Sequence, residues 1–315
     1  MRYARVMAGL RFILDTDIGT DVDDALALAF ALRQPELDLA AVTTVSGDTV
    51  RRARIARNLL RLAGRDDIEV AAGERGTQSR PERGAEAGHE DAMLGAGAPE
   101  LEISPRDGVT LLLEECAAHQ YEVATVGMQS NVAAAIERDR SFAADVSRLV
   151  VMGGVFAPVR FLGNPLPPSV DHNLNVDQGA SLVALAAGMP TLYVPCDVTF
   201  GAWLMAGQVD RLRKGDALCR ELAREVDVWA PLMHGRGRGV IPPEYIALLH
   251  DPLAVACMTP AGRRFVEIET LPVTVALHEG HVRTFVDPAA GREAEVVRSV
   301  DGPGFAAFWL EMVLG

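Results

Sequence analysis

Residues 12–28 read Phe12-Ile-Leu-Asp15-Thr-Asp17-Ile-Gly19-Thr-Asp21-Val-Asp23-Asp24-Ala-Leu-Ala-Leu28, and this stretch decides the fold. Phe12 to Leu14 is a short apolar run, the end of a buried strand. Gly19 frees the backbone where a loop must turn sharply. From Val22 to Leu32 almost every residue around the two acids is Ala, Leu or Phe, which suits a helix buried on most sides. Strand, tight loop and buried helix open an α/β fold, in which ligands sit beyond the carboxyl ends of the strands. Asp21, Asp23 and Asp24 fall at or near the helix N-terminus, where the helix dipole favours negative charge. That dipole does not account for five aspartates within ten residues. Their repulsion calls for a counter-charge, and Ca²⁺, which takes six to eight oxygen ligands including carboxylates, supplies it. A capped helix with solvated acids would explain one such Asp, but not five between two apolar segments.

Outward from this stretch, strand-like and helix-like runs alternate. Strands are expected at Leu39–Val45, Ile68–Ala71, Glu122–Gly127, Leu149–Met152 and Thr191–Val194. Helices are expected at Val50–Leu62, with an Arg-rich exposed face, and at Val109–Ala118, Val132–Glu137 and Gly179–Ala187. Such alternation implies right-handed crossovers and an open, mainly parallel sheet flanked by helices. After Phe265 the pattern changes. Val266–Leu277 and His281–Val286 flank Gly280 as a hairpin, Glu295–Val300 adds a strand, and Gly304–Leu314 closes the chain as a helix. No repeat or composition break marks a linker, so residues 1–315 read as one domain.

Composition narrows the function classes. At 49% hydrophobic and 23% charged the chain is an ordinary globular sequence, and its net charge of −13 with no basic patch argues against a nucleic-acid partner. The apolar run at the start is too short for a signal peptide, and nothing later reaches membrane-spanning length. Cys116, Cys196, Cys219 and Cys257 have no paired spacing, which points to buried free thiols and a cytoplasmic setting.

Two stretches lack regular pattern: 72–98, which contains Gly88-His89-Glu90-Asp91, and 229–245, which contains His234-Gly-Arg-Gly-Arg-Gly239. Both read as loops of the lid or binding kind. The Gly-x-Gly-x-Gly run follows no strand, so it is a weak phosphate signature. Three further motifs each follow a strand or open a helix: Gly127-Met-Gln-Ser130-Asn131, then Met152-Gly153-Gly154 with Asn164 and Asp171-His-Asn173 downstream, and His250-Asp251-Pro252. Taken singly, they are helix caps and polar loops.

Together, these motifs resemble the inosine–uridine-preferring nucleoside hydrolase family, in the family's order, from residue 12 to about 255. The family's Asp-x-Asp-x-Gly-x-Asp-Asp loop is longer here by two residues. The resemblance pairs Asp17, Asp23 and Asp24 with the functional acids and leaves Asp21 as a spare. A haloacid-dehalogenase-type phosphatase also begins Asp-x-Asp after a strand. It has Thr or Val two residues after the second Asp, where this chain has Gly19.

The resemblance implies a Rossmann-like fold and Ca²⁺-dependent hydrolysis of the N-glycosidic bond of ribonucleosides, in nucleoside salvage. It implies as metal ligands Asp17, Asp24, the Ser130 carbonyl and Asp251, and as general base Asp17. By the same resemblance Asp23, Met152, Asn164, Asp171, Asn173 and Asp251 hold the substrate, and His250 or His89 protonates the departing base. The implied partner is a small nucleoside, and the implied assembly is a homo-oligomer, dimer or tetramer. Two positions depart from the family: Asp171 stands where Glu is usual and Asp48 where Asn is common. Asp171 is a methylene shorter than the Glu that reaches the ribose 5′-hydroxyl, so dependence on that hydroxyl should be weak. The same departures support a rival reading, a riboside-binding protein without turnover. Trp229 and Tyr245 are the candidate stacking aromatics, and the sequence does not select a nucleobase.

Overall fold

In the computed structural model, residues 9–76, 89–94, 101–237 and 240–315 are described. Among the described residues nine strands form one sheet: β1 (Leu10–Thr16), β2 (Leu37–Thr44), β3 (Glu69–Ala72), β4 (Glu122–Thr125), β5 (Arg148–Met152), β8 (Thr191–Val194), β11 (Val266–His278), β12 (His281–Val286) and β13 (Arg292–Val300). Two ribbons complete the set, β6 (Arg160–Phe161) with β7 (Asn164–Pro165) and β9 (Trp203–Met205) with β10 (Tyr245–Leu248). The sheet order is β12-β11-β13-β8-β5-β4-β1-β2-β3. Every pairing from β3 to β13 is parallel, and β11 is antiparallel to both of its neighbours. The sheet is therefore open, mainly parallel and mixed, as the alternating pattern requires.

The topology places the site. From β1 the chain moves outward through β2 to β3, then returns to the other flank of β1 with β4, β5 and β8. The carboxyl ends of β1 and β4 thus border the point where the winding reverses, which is where open α/β sheets leave a crevice. The helix Asp23–Arg33 lies beneath that crevice, with Leu26, Leu28 and Phe30 fully buried, and packs against the helix His250–Ala256. The end helix Gly302–Leu314 locks it from outside, where Trp309 donates its indole N–H to the Leu26 carbonyl at 3.2 Å.

Most of the expected elements stand within a few residues of their predicted limits. The Gly280 hairpin turns on Glu279 and Gly280, both at positive φ, the type I′ geometry that matches strand twist. Strand β13 begins three residues early because Arg292 to Ala294 pair with β11. Two expectations need correction. Residues 229–236 are not loop: they complete a helix, Ala217–Arg236, whose buried Leu222, Val226, Trp229 and Met233 recur at helical spacing across Pro231. Within 72–98, Glu90–Leu94 forms a short helix, whereas Gly88 and residues 238 and 239 of the Gly-x-Gly-x-Gly run lie outside the described residues.

Candidate active site

The loop after β1 is fixed before any ligand is considered. Gly19 adopts φ +104°, and a Cβ there would lie 2.7 Å from Ile55 Cδ1, so only glycine fits. Arg52, buried under the loop, donates to the carbonyls of Asp17 and Ile18 (the latter 2.9 Å) and of Ser46 (2.6 Å). The Arg-rich helix Thr49–Leu62 therefore does not expose all of its arginines. Sequence reasoning missed Arg52 because helical periodicity assigns a cation to the solvent face unless its partners are known. Beyond β4, Gly127 lets its backbone pass Asp17, where a Cβ would lie 2.8 Å from Asp17 Oδ1.

Four of the five aspartates of the opening motif, Asp17, Asp21, Asp23 and Asp24, line a cavity of about 220 Å³ together with Asp251. Asp15 does not. Its side chain turns to the other face of β1, where Oδ1 accepts from Thr43 (2.6 Å) and Asn131 (2.7 Å), and burial raises its pKa to about 7. Its neighbour Thr16 faces the cavity side and bonds Asp24, and successive strand residues face opposite sides, so Asp15 belongs instead to a buried polar network with Thr43 and Asn131. A larger hollow of about 670 Å³ lies beyond Phe200 and shares only that residue with the acid-lined cavity.

Asp23, Asp24 and Asp251 are all buried and each offers an oxygen within 4.8 Å of the others. Thr16 donates its hydroxyl to Asp24 Oδ1. Burial, and then the charge of the neighbouring carboxylates, pushes all three pKa values well above the usual range. Burial likewise raises Asp21 to about 7. Clustered carboxylates that resist ionisation are what a site made for a cation looks like in the cation's absence, and an all-oxygen donor set fits a hard divalent ion. The grouping adds Asp23, which the resemblance gives to the sugar, to Asp24 and Asp251. Asp17 lines the same cavity outside this trio.

Met152, Asp171, Asn173 and His250 also face the cavity. Asn173 is held by its amide, which donates to the carbonyls of Val126 (2.7 Å) and Met152 (3.1 Å). Asp171 is occupied: Oδ2 accepts from the Gly154 N–H at 2.7 Å and Oδ1 from Leu174 N–H at 3.1 Å, capping the helix His172–Val176. Burial lifts its pKa to about 6. His250 Nδ1 lies 2.6 Å from Thr199 Oγ1, and desolvation pushes the ring down to about 4.

Three expected residues lie outside the cavity. Asn164 sits exposed in the β6–β7 ribbon, its amide turned to the Leu162 carbonyl at 3.4 Å. Ser130 opens the helix Ser130–Arg138 and donates its hydroxyl to Asp177 at 2.8 Å. His89 reaches the loop from outside: its Nε2 donates to the Thr20 carbonyl at 2.8 Å, and its ring lies 6.0 Å from Trp229. Trp229 lines the cavity with Arg236, whose guanidinium stacks 5.3 Å over the indole. Arg236 was hidden by the misread helix end. Tyr245 lines the larger hollow instead.

Comparison with known proteins agrees with this geometry. Residues 12–307 match the model of the inosine-uridine preferring nucleoside hydrolases. A pyrimidine-specific ribonucleoside hydrolase, RihA, of Salmonella enteritidis is 31% identical over 257 residues, covering 78% of each chain. Its counterpart from an Enterobacter species is 32% identical over 255 residues, with the same coverage. Among solved structures, a plant nucleoside hydrolase superposes with a TM-score of 0.81 at 24% identity, over 97% of this chain and 99% of its own. A purine-preferring ribonucleoside hydrolase from Gardnerella vaginalis gives 0.75 at 25% identity, over 97% and 98%. The acid-lined crevice at the switch point and the match over nearly the whole chain lead to one conclusion: this protein belongs to the inosine-uridine preferring nucleoside hydrolase family.

Proposed function

We propose that this chain hydrolyses the N-glycosidic bond of ribonucleosides, releasing free base and ribose, with calcium held by Asp23, Asp24 and Asp251. The observation that carries this reading is the buried trio of carboxylates beside Asp17, in the crevice of a nucleoside hydrolase fold. When bound, the ion supplies Lewis-acid activation of a water and a hold on the ribose diol. Asp17 takes the proton of the attacking water as general base. The surrounding carboxylates stabilise the positive charge that develops on the ribosyl ring. Asn173 orders the sugar side of the cavity, its orientation fixed by its two carbonyl partners. Trp229 gives the base a stacking surface. In this reading the Ser130 carbonyl joins the ion's shell, and Asn164 the sugar, only if the segments that carry them move toward the cavity.

The riboside-binding alternative rests on Asp171 and Asp48. Both are helix caps, Asp48 accepting from Arg51 N–H at 3.1 Å, and neither replaces an acid of the trio. The direct test is a panel of purine and pyrimidine ribosides assayed for free base and ribose. Release of both from at least one riboside is expected, and binding without release would restore the alternative. The RihA relatives are named for pyrimidine specificity and the Gardnerella enzyme for purine preference, so both classes belong in the panel.

A further inference from the structure

We infer that Thr199 is a positioning residue: its hydroxyl donates to Nδ1 of His250 and so fixes the ring as the tautomer with its proton on Nε2, toward the reaction cavity. This rests on the proposed ribosidase reading for its consequence, but not for its geometry.

Thr199 ends the short helix Cys196–Thr199 that follows β8, and it is fully buried. His250 begins the helix His250–Ala256, tied alongside by the bond from Leu249 N–H to the Ala202 carbonyl at 2.9 Å. The two side chains meet at 2.6 Å. A neutral imidazole has one nitrogen that donates and one that accepts, and its partner decides which. The only bond of Thr199 Oγ1 among the described residues is the one to His250 Nδ1. If the hydroxyl accepted from Nδ1–H, its own proton would be buried with no acceptor, a loss that native interiors avoid. As donor it is satisfied, and Nδ1 is the acceptor. The proton then resides on Nε2, which bonds to no described protein group, on a ring that lines the cavity. Phe200 meets the ring edge-on, with centroids 5.0 Å apart, and limits its rotation.

The consequence concerns the departing base. When the C1′–N bond breaks, its electron pair leaves on the base nitrogen, and Nε2–H donates a hydrogen bond to the base as that charge grows. The ring keeps its proton, since transfer from a neutral imidazole would leave an imidazolate. The water's hydroxyl goes to C1′, its proton to Asp17, and the base is finally protonated from solvent.

The test compares the unaltered chain, Thr199→Val and Thr199→Ser, each with calcium, on uridine, inosine and p-nitrophenyl riboside. The nitrophenolate leaves without help. Loss of one hydrogen bond in the transition state predicts a fall of about three- to tenfold in kcat for the nucleosides in the Val variant. KM and nitrophenyl riboside turnover should stay unchanged, and Ser should restore the rate. Equal losses on all three substrates, or none, would overturn the inference. ¹⁵N resonances of His250 in the unaltered protein give a second reading independent of turnover and of how the Val variant folds. A bare Nδ1 and a protonated Nε2 are expected, and a protonated Nδ1 refutes the assignment. Should no riboside be cleaved at all, the ribosidase reading fails, while the ¹⁵N result still decides the tautomer.

Discussion

The residues of the cavity divide by what their polar atoms already hold. Asp17, with its backbone pinned by Arg52 and its carboxylate beside Gly127, is the acid proposed as general base. Asp17→Asn keeps the shape and removes the base, so kcat should fall by about 10²–10⁴-fold while nucleoside binding survives. A fall under roughly threefold would remove Asp17 from that role. Asp171 is the opposite case, because both its oxygens are spent on the N–H groups of Gly154 and Leu174. The resemblance to the family implies a side chain too short for the 5′-hydroxyl. The structure adds that the carboxylate is turned into a helix cap. A hydrogen bond to a charged group is worth about 1.5–3 kcal/mol, or roughly ten- to a hundredfold in kcat/KM, and this chain should lack that discrimination. Inosine and 5′-deoxyinosine should therefore be cleaved at similar kcat/KM. Asp171→Glu should bring back a preference for inosine and lose about 1 kcal/mol of stability with the cap. A preference near a hundredfold in the unaltered protein would contradict the argument. Residue by residue, the acids were legible in the sequence because clustered carboxylates are rare between apolar segments. Asp15 and Asn164 were not, since the face of a strand and the pose of a ribbon are settled by tertiary contacts that a motif does not encode.

The elements that hold these residues make their own predictions. Arg52 belongs to the helix Thr49–Leu62 yet bonds three carbonyls in two neighbouring loops. Arg52→Met would leave those carbonyls buried without donors. A loss of about 3 kcal/mol in urea unfolding is expected, with weaker calcium binding. Unchanged stability would show that the loop holds itself. The helix Ala217–Arg236 carries Glu225, buried, with Oε1 unpartnered and Arg224 no nearer than 4.0 Å. Burial raises its pKa from 4.5 to about 8. The folded protein thus holds a proton that the unfolded chain releases. The contribution of this group to stability is greatest at low pH and declines as pH rises from about 4.5 to about 8, by up to about 1.4 kcal/mol per unit. Glu225→Gln removes that decline, so the variant should gain on the parent between pH 5 and pH 8, read as urea midpoints. An equal difference at both pH values would place the proton elsewhere. This helix was the element read least well from sequence: Pro231 and the glycines near its end signal a loop. Packing of Trp229 and Met233 carries it past them.

At the scale of the whole molecule, the parallel sheet was legible because strand and helix periods alternate along most of the chain from β1 to β8. The crossing order was not, and it is the order that sets the crevice between β1 and β4. That crevice collects acids from residues 17–24 and 251, distant in sequence, into one cavity in a chain of net charge −13. Such a concentration of buried negative charge is stable only with protons or a cation. The most direct measurement is base release from inosine and uridine by the purified protein after exhaustive chelation, followed by titration with calcium. The account predicts a chelated protein without activity, carrying no divalent ion, and recovery of free base and ribose as calcium is returned. Full turnover by the chelated, metal-free protein would contradict it.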